Sequence, residues 1–86
     1  VERPSVTIRA QSTGASVYAG VGRLHAQQSE QAATAVERGG FCRDAARWYQ
    51  RGIAIWDAMQ KSGSLSVLDA GRRAAAAIGI ARCGVR

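Results

Sequence analysis

The chain is 86 residues long, 47% of them hydrophobic, and carries a formal net charge of +6 at neutral pH. A chain of this size makes one domain and buries only about 60 to 65% of the surface its unfolded form exposes, which excludes a large enclosed active site. Eleven arginines and one lysine stand against six acids, a balance that favours acidic partners such as nucleic acid, anionic lipid or an acidic protein surface, although a GC-rich genome produces the same arginine- and alanine-rich composition.

Residues 1–11 hold the only proline, Pro4, and an alternation of Val6 and Ile8 with Thr7 and Arg9. With no partner strand elsewhere this segment cannot form a sheet by itself, and it is expected to be an extended N-terminal arm. Helix formers dominate from Ser12 onward, so residues 12–86 are expected to form a single all-α domain, a small bundle of three helices, or four if the first one breaks. Ser12 or Thr13 offers an N-cap. Val17, Val21, Leu24, Gln28, Ala32 and Ala35 then share one stripe of a first helix that would run to about Arg38, stop at Gly39 and Gly40, and be open to a break near Ser29.

The second helix is expected over residues 41–61. At about 100° per residue, Phe41, Cys42, Ala45, Trp48, Tyr49, Gly52, Ile53, Ile55, Trp56 and Met59 fall on one face, and Arg43, Arg47, Gln50, Arg51, Asp57 and Lys61 on the other. Residues 61–64 make a turn of the length that joins antiparallel helices. Ser66 and Asp69 resemble a capping box, and a third helix follows over residues 66–82, its inner face assigned to Val67, Ala70, Gly71, Ala74, Ala75, Ile78 and Ala81. Small residues there, with Gly52 opposite, suit close packing against the aromatic face of the second helix.

Cys42 and Cys83 are the only cysteines, and the antiparallel hairpin brings them to the same end. They are expected to form a disulfide closing a loop of about 40 residues, worth roughly 4 kcal/mol in the chain-entropy model. Extrapolated as ideal helix, Cys83 points away from the assigned inner face, so the bridge demands that the third helix end or unwind near Ala81, with Gly84 as a terminator. A disulfide implies an oxidising compartment. The chain begins at Val1, as a processed export product would, and no run of about 18 apolar residues offers a transmembrane helix.

His25 is the only histidine, and the cysteines lack CxxC spacing, so no metal site and no cofactor is expected. Cys42 and His25 could supply a nucleophile and a base, but no third orienting group accompanies them, and an enzyme is not expected. None of the ten glycines falls into a phosphate-binding order. Arg43, Arg47 and Arg51 recur every four residues as a basic ridge, joined on that side by Arg72 and Arg73; these five are the candidate partner-binding residues. The ridge lacks any element that reads bases, so protein binding is expected ahead of nucleic-acid or anionic-surface binding.

Gly40, Ala45, Tyr49 and Gly52 within GGFCRDAARWYQRG resemble the small-residue and aromatic spacing of a tetratricopeptide or Sel1-like helical pair. The resemblance implies an antiparallel helix pair and carries over no binding residues, since the chain has neither a second copy at the ~34-residue period nor the terminal proline. The expectation is therefore a non-catalytic, exported protein-binding domain, periplasmic or secreted. An inhibitor or immunity protein that blocks a toxin or cell-wall enzyme fits its size and compartment. A homodimer hiding the weak stripe of the first helix is a further expectation.

Overall fold

The computed structural model describes residues 4–84. Three helices account for nearly all of them: α1 (Pro4–Glu30), α2 (Ala35–Lys61) and α3 (Val67–Gly84). Short turns make each helix antiparallel to the next, so α1 and α3 run in the same direction on either side of α2. The molecule is long and flat, 52 × 20 × 15 Å.

Residues 1–3 of the expected arm lie outside the described residues, and from Pro4 onward the extended arm is not formed. Val6 and Ile8 lie within α1, which opens at Pro4, a position where the missing proline N–H would have no intrahelical partner in any case. Ser12 and Thr13 are therefore interior helix residues, not caps. The helix also ends earlier than Arg38. Gly39 and Gly40 sit inside α2, and the break falls at residues 31–34 because Thr34 and Glu37 form a capping box. The Thr34 hydroxyl accepts the Glu37 N–H at 3.1 Å and the Glu37 carboxylate accepts the Thr34 N–H at 3.3 Å, so two otherwise orphaned donors are satisfied by one four-residue signal.

The far end of α2 closes with equal economy. Gly63 adopts φ +77°; its N–H reaches Gln60 O at 3.1 Å and the Ser64 N–H reaches Met59 O at 2.8 Å. This is the paired hydrogen-bond pattern of a glycine-terminated helix. Ser66 then caps α3, its hydroxyl accepting the Asp69 N–H at 3.0 Å.

The face of α2 read from its sequence is the one that packs. Ala45, Tyr49, Gly52, Trp56 and Met59 are buried, and Ile53 and Ile55 pack against them. For α1 and α3 the core-facing sides differ from those expected. On α1 the inward stripe is Ser12, Ala15, Ala19, Gly22, Ala26 and Ser29, spaced by threes and fours, while Val17 and Leu24 are 57% and 61% exposed. On α3 the inward residues are Asp69, Arg73, Ala76, Ile80 and Cys83, while the whole assigned face, from Val67 at 92% to Ile78 at 54% and Ala81, is exposed.

The cause is backbone proximity. A Cβ on Gly52 would lie 2.8 Å from Ala15 O, and one on Gly22 would lie 3.0 Å from Ala45 O, so α1 and α2 touch through glycine and alanine where no bulky side chain fits. Gly79 does the same for α3, its missing Cβ leaving room for the Tyr49 ring at 2.8 Å. Gly71, in contrast, has nothing within 4 Å and does not serve close packing.

The corrected phase of α3 also removes the obstacle to the disulfide. Cys83 lies on the inward stripe and bonds Cys42 with a Cα–Cα distance of 5.2 Å, and α3 continues as helix through it without unwinding near Ala81.

Candidate functional site

The three helices do not enclose a full triangle. Among the described residues, polar contacts tie α1 to α3 only near the two ends of α3. At one end the Ser12 hydroxyl donates to the buried Asp69 carboxylate at 2.9 Å and Arg72 donates to Ser16 Oγ at 3.3 Å; at the other, Ser29 Oγ lies 3.6 Å from Cys83 Sγ. Between them both helices present small residues, Ala19, Gly20 and Ala26 on α1 and Ala75, Ala76 and Gly79 on α3, too short to meet across the gap. A furrow of about 1380 Å³ results, floored by Tyr49, Trp56 and the disulfide. It follows α1 from Ser16 to Glu30, a run of about 21 Å at 1.5 Å per residue.

Its rim is basic. Arg23, Arg38, Arg43, Arg72 and Arg82 line it, with Glu30 as the only carboxylate among the described residues. Arg72 lies 3.5 Å from the Asp69 carboxylate; the other four arginines form no ion pair among the described residues. The floor feels this charge. Burial pushes the Tyr49 hydroxyl above its ordinary pKa, and the Arg23 guanidinium acts in the opposite direction. Trp56 is fully buried, and its indole N–H has no acceptor among the described residues.

The five arginines singled out in the sequence do not form one site. Arg43, Arg47 and Arg51 are exposed on α2 as expected, but only Arg43 reaches the furrow rim. Arg51 stacks over the Trp48 ring at 4.8 Å, and Trp48 in turn faces Tyr18 on α1, with ring centroids 5.8 Å apart. Arg73 does not line the furrow; it is held against α2 at 2.6 Å by Asp57, which raises its pKa and keeps it charged. Arg72 turns towards α1 instead of joining the ridge. The rim residues Arg23, Arg38 and Arg82 escaped the sequence reading because they come from three helices and share no spacing. The legible signal was the Ser12–Ala15–Ala19–Gly22–Ala26–Ser29 stripe, which fixes which side of α1 faces inward.

The sulfur of Cys42 is bonded to Cys83, so the Cys42 and His25 pairing has no free thiol to act through. Among the described residues, His25 Nδ1 is buried without a partner and no group of three metal-ligating side chains occurs. No described helix is long and apolar enough to cross a membrane. No protein-family model, curated protein or solved structure matches the chain.

Proposed function

We propose that the protein is a non-catalytic protein-binding domain of an oxidising compartment, periplasmic or secreted, whose binding surface is the furrow between α1 and α3. The observation that carries this reading is the furrow rim: Arg23, Arg38, Arg43 and Arg82 surround small-residue walls and a floor of Tyr49, Trp56 and the disulfide, and form no ion pair among the described residues. Unneutralised arginines beside apolar surface are what a protein interface of opposite charge uses. The disulfide supports the compartment, because such bonds persist outside reducing cytosol. Small size, one disulfide and a rigid helical mount fit a small inhibitor or immunity protein that blocks a toxin or cell-wall enzyme, an analogy of size and compartment.

The test is capture of a partner from the exported protein fraction of the source cells, with wild type and an Arg23→Glu, Arg82→Glu variant run side by side. A partner retained by wild type and lost by the variant supports the reading. Equal capture by both sinks the furrow as the binding surface.

The exposed Arg43, Arg47 and Arg51 on α2 favour a second reading, a binder of nucleic acid or another anionic surface. A salt titration on arbitrary duplex DNA separates the two. Affinity that falls by orders of magnitude from low to moderate salt, and that depends on Arg47 and Arg51, would make nucleic acid the ligand.

A further inference from the structure

We infer that the furrow between α1 and α3 docks an acidic amphipathic helix of a partner protein, laid lengthwise as a fourth helix. This deepens the protein-binding reading above and rests on it. Three features specify the occupant, beginning with size. At about 1380 Å³ the furrow exceeds the ~300–1,000 Å³ usual for small-molecule sites, and its run of about 21 Å matches roughly four turns of helix. The second is shape. Ala19 and Ala26 on one lip and Ala76 and Gly79 on the other leave shallow holes that accept larger apolar knobs, as when a fourth helix completes a bundle.

The third feature is charge. Arg23 on α1 and Arg82 on α3 stand on opposite lips, so glutamates flanking an apolar stripe on the incoming helix would meet a guanidinium on either side. A second copy of this chain does not fit that description: its α2 carries Glu37, Asp44 and Asp57 but buries its apolar face in its own core. Among the described residues, α1 carries only Glu30 as an acid, and α3 only Asp69, which is buried.

The experiment uses the full oxidised chain and three labelled peptides of about four helical turns, read by fluorescence anisotropy at low salt. One peptide has leucines on one face flanked by glutamates, one has the same composition scrambled so that no apolar face forms, and one carries lysine in place of glutamate. The glutamate amphipathic peptide is expected to bind, and the other two to bind at least about tenfold more weakly. Arg23→Glu with Arg82→Glu is expected to weaken binding by about tenfold or more, while Arg47→Glu with Arg51→Glu changes it by less than about twofold. Unchanged helicity by circular dichroism confirms that each variant is folded.

Equal binding of the scrambled peptide would mean that charge alone is read, and an equal loss in the Arg47, Arg51 variant would move the site to the outer ridge. Either result overturns the inference, and so does failure of the glutamate peptide to bind. If that peptide fails while a native partner is still captured through Arg23 and Arg82, the protein-binding function stands and only the helical identity of the occupant falls.

Discussion

One methyl group added at Gly52 would sit 2.8 Å from the carbonyl oxygen of Ala15, backbone that cannot rotate out of the way. Gly52→Ala is therefore expected to force α1 off α2 and cost about 1 to 3 kcal/mol, the range for overpacking a tight contact. Gly71→Ala is the control: with open space around it the substitution should stabilise α3 by about 0.5 to 1 kcal/mol through backbone entropy alone. Urea titrations of the two variants should move in opposite directions. Tyr49 gives a second prediction at this scale. Burial raises its pKa in the folded state, so the proton it keeps stabilises the fold fully below pH 10, the unfolded value, and that contribution is lost as pH rises through the higher folded value. Alkaline unfolding should accordingly flatten in Tyr49→Phe. These residues also show why the core of α2 was readable in advance and those of its neighbours were not. Aromatic and large aliphatic side chains mark a buried face when the space is filled from that helix. Where a partner's aromatics fill the space, the buried face is the one with the smallest residues, and Val17, Leu24, Val67 and Ile78 marked the wrong sides of α1 and α3.

At the scale of elements, the three helices, the turn at residues 61–64 and the all-α class follow from periodicity and helix-forming composition. The boundary between α1 and α2 does not, because two adjacent glycines at 39 and 40 make a more conspicuous stop than a threonine and a glutamate three residues apart. The capping box wins physically: it satisfies two donors, whereas glycines inside α2 cost only about 1 kcal/mol each relative to alanine. Thr34→Ala should destabilise the fold by about 1 kcal/mol, and Thr34→Ser by much less, as measured by thermal unfolding. The phase of α3 was fixed by evidence already within the sequence. Once Cys83 is required to meet Cys42, Ile80, Ala76, Arg73 and Asp69 follow inward by helical spacing. The apparent need to unwind the helix at Ala81 signalled that the assigned face, and not the helix, was at fault.

For the whole molecule, the disulfide was legible from two cysteines and a hairpin, while the furrow was not. Its rim draws Arg23, Arg38 and Arg82 from three separate helices, and its existence depends on α1 and α3 both offering short side chains to the gap. The same thinness shows in the radius of gyration, 14.3 Å against about 12 Å for a compact chain of this length. So slight a core leans on its covalent link, and reducing the Cys42–Cys83 bond should lower stability by about 4 kcal/mol, with matched denaturant curves under oxidising and reducing conditions as the measure. The position of that bond divides the chain unequally. Residues 42–83 form a closed ring that contains the turn between α2 and α3, and α1 hangs outside it. A protease that cuts at Gly63 leaves a single covalent molecule, whereas one that cuts within residues 31–34 leaves α1 held by non-covalent contacts alone: its glycine and alanine packing, the Tyr18–Trp48 ring contact and the hydrogen bonds of Ser12 and Ser16 to α3. Wherever the protein meets proteases, one of the two turns is thus insured against scission and the other, which holds one whole wall of the furrow in place, is not.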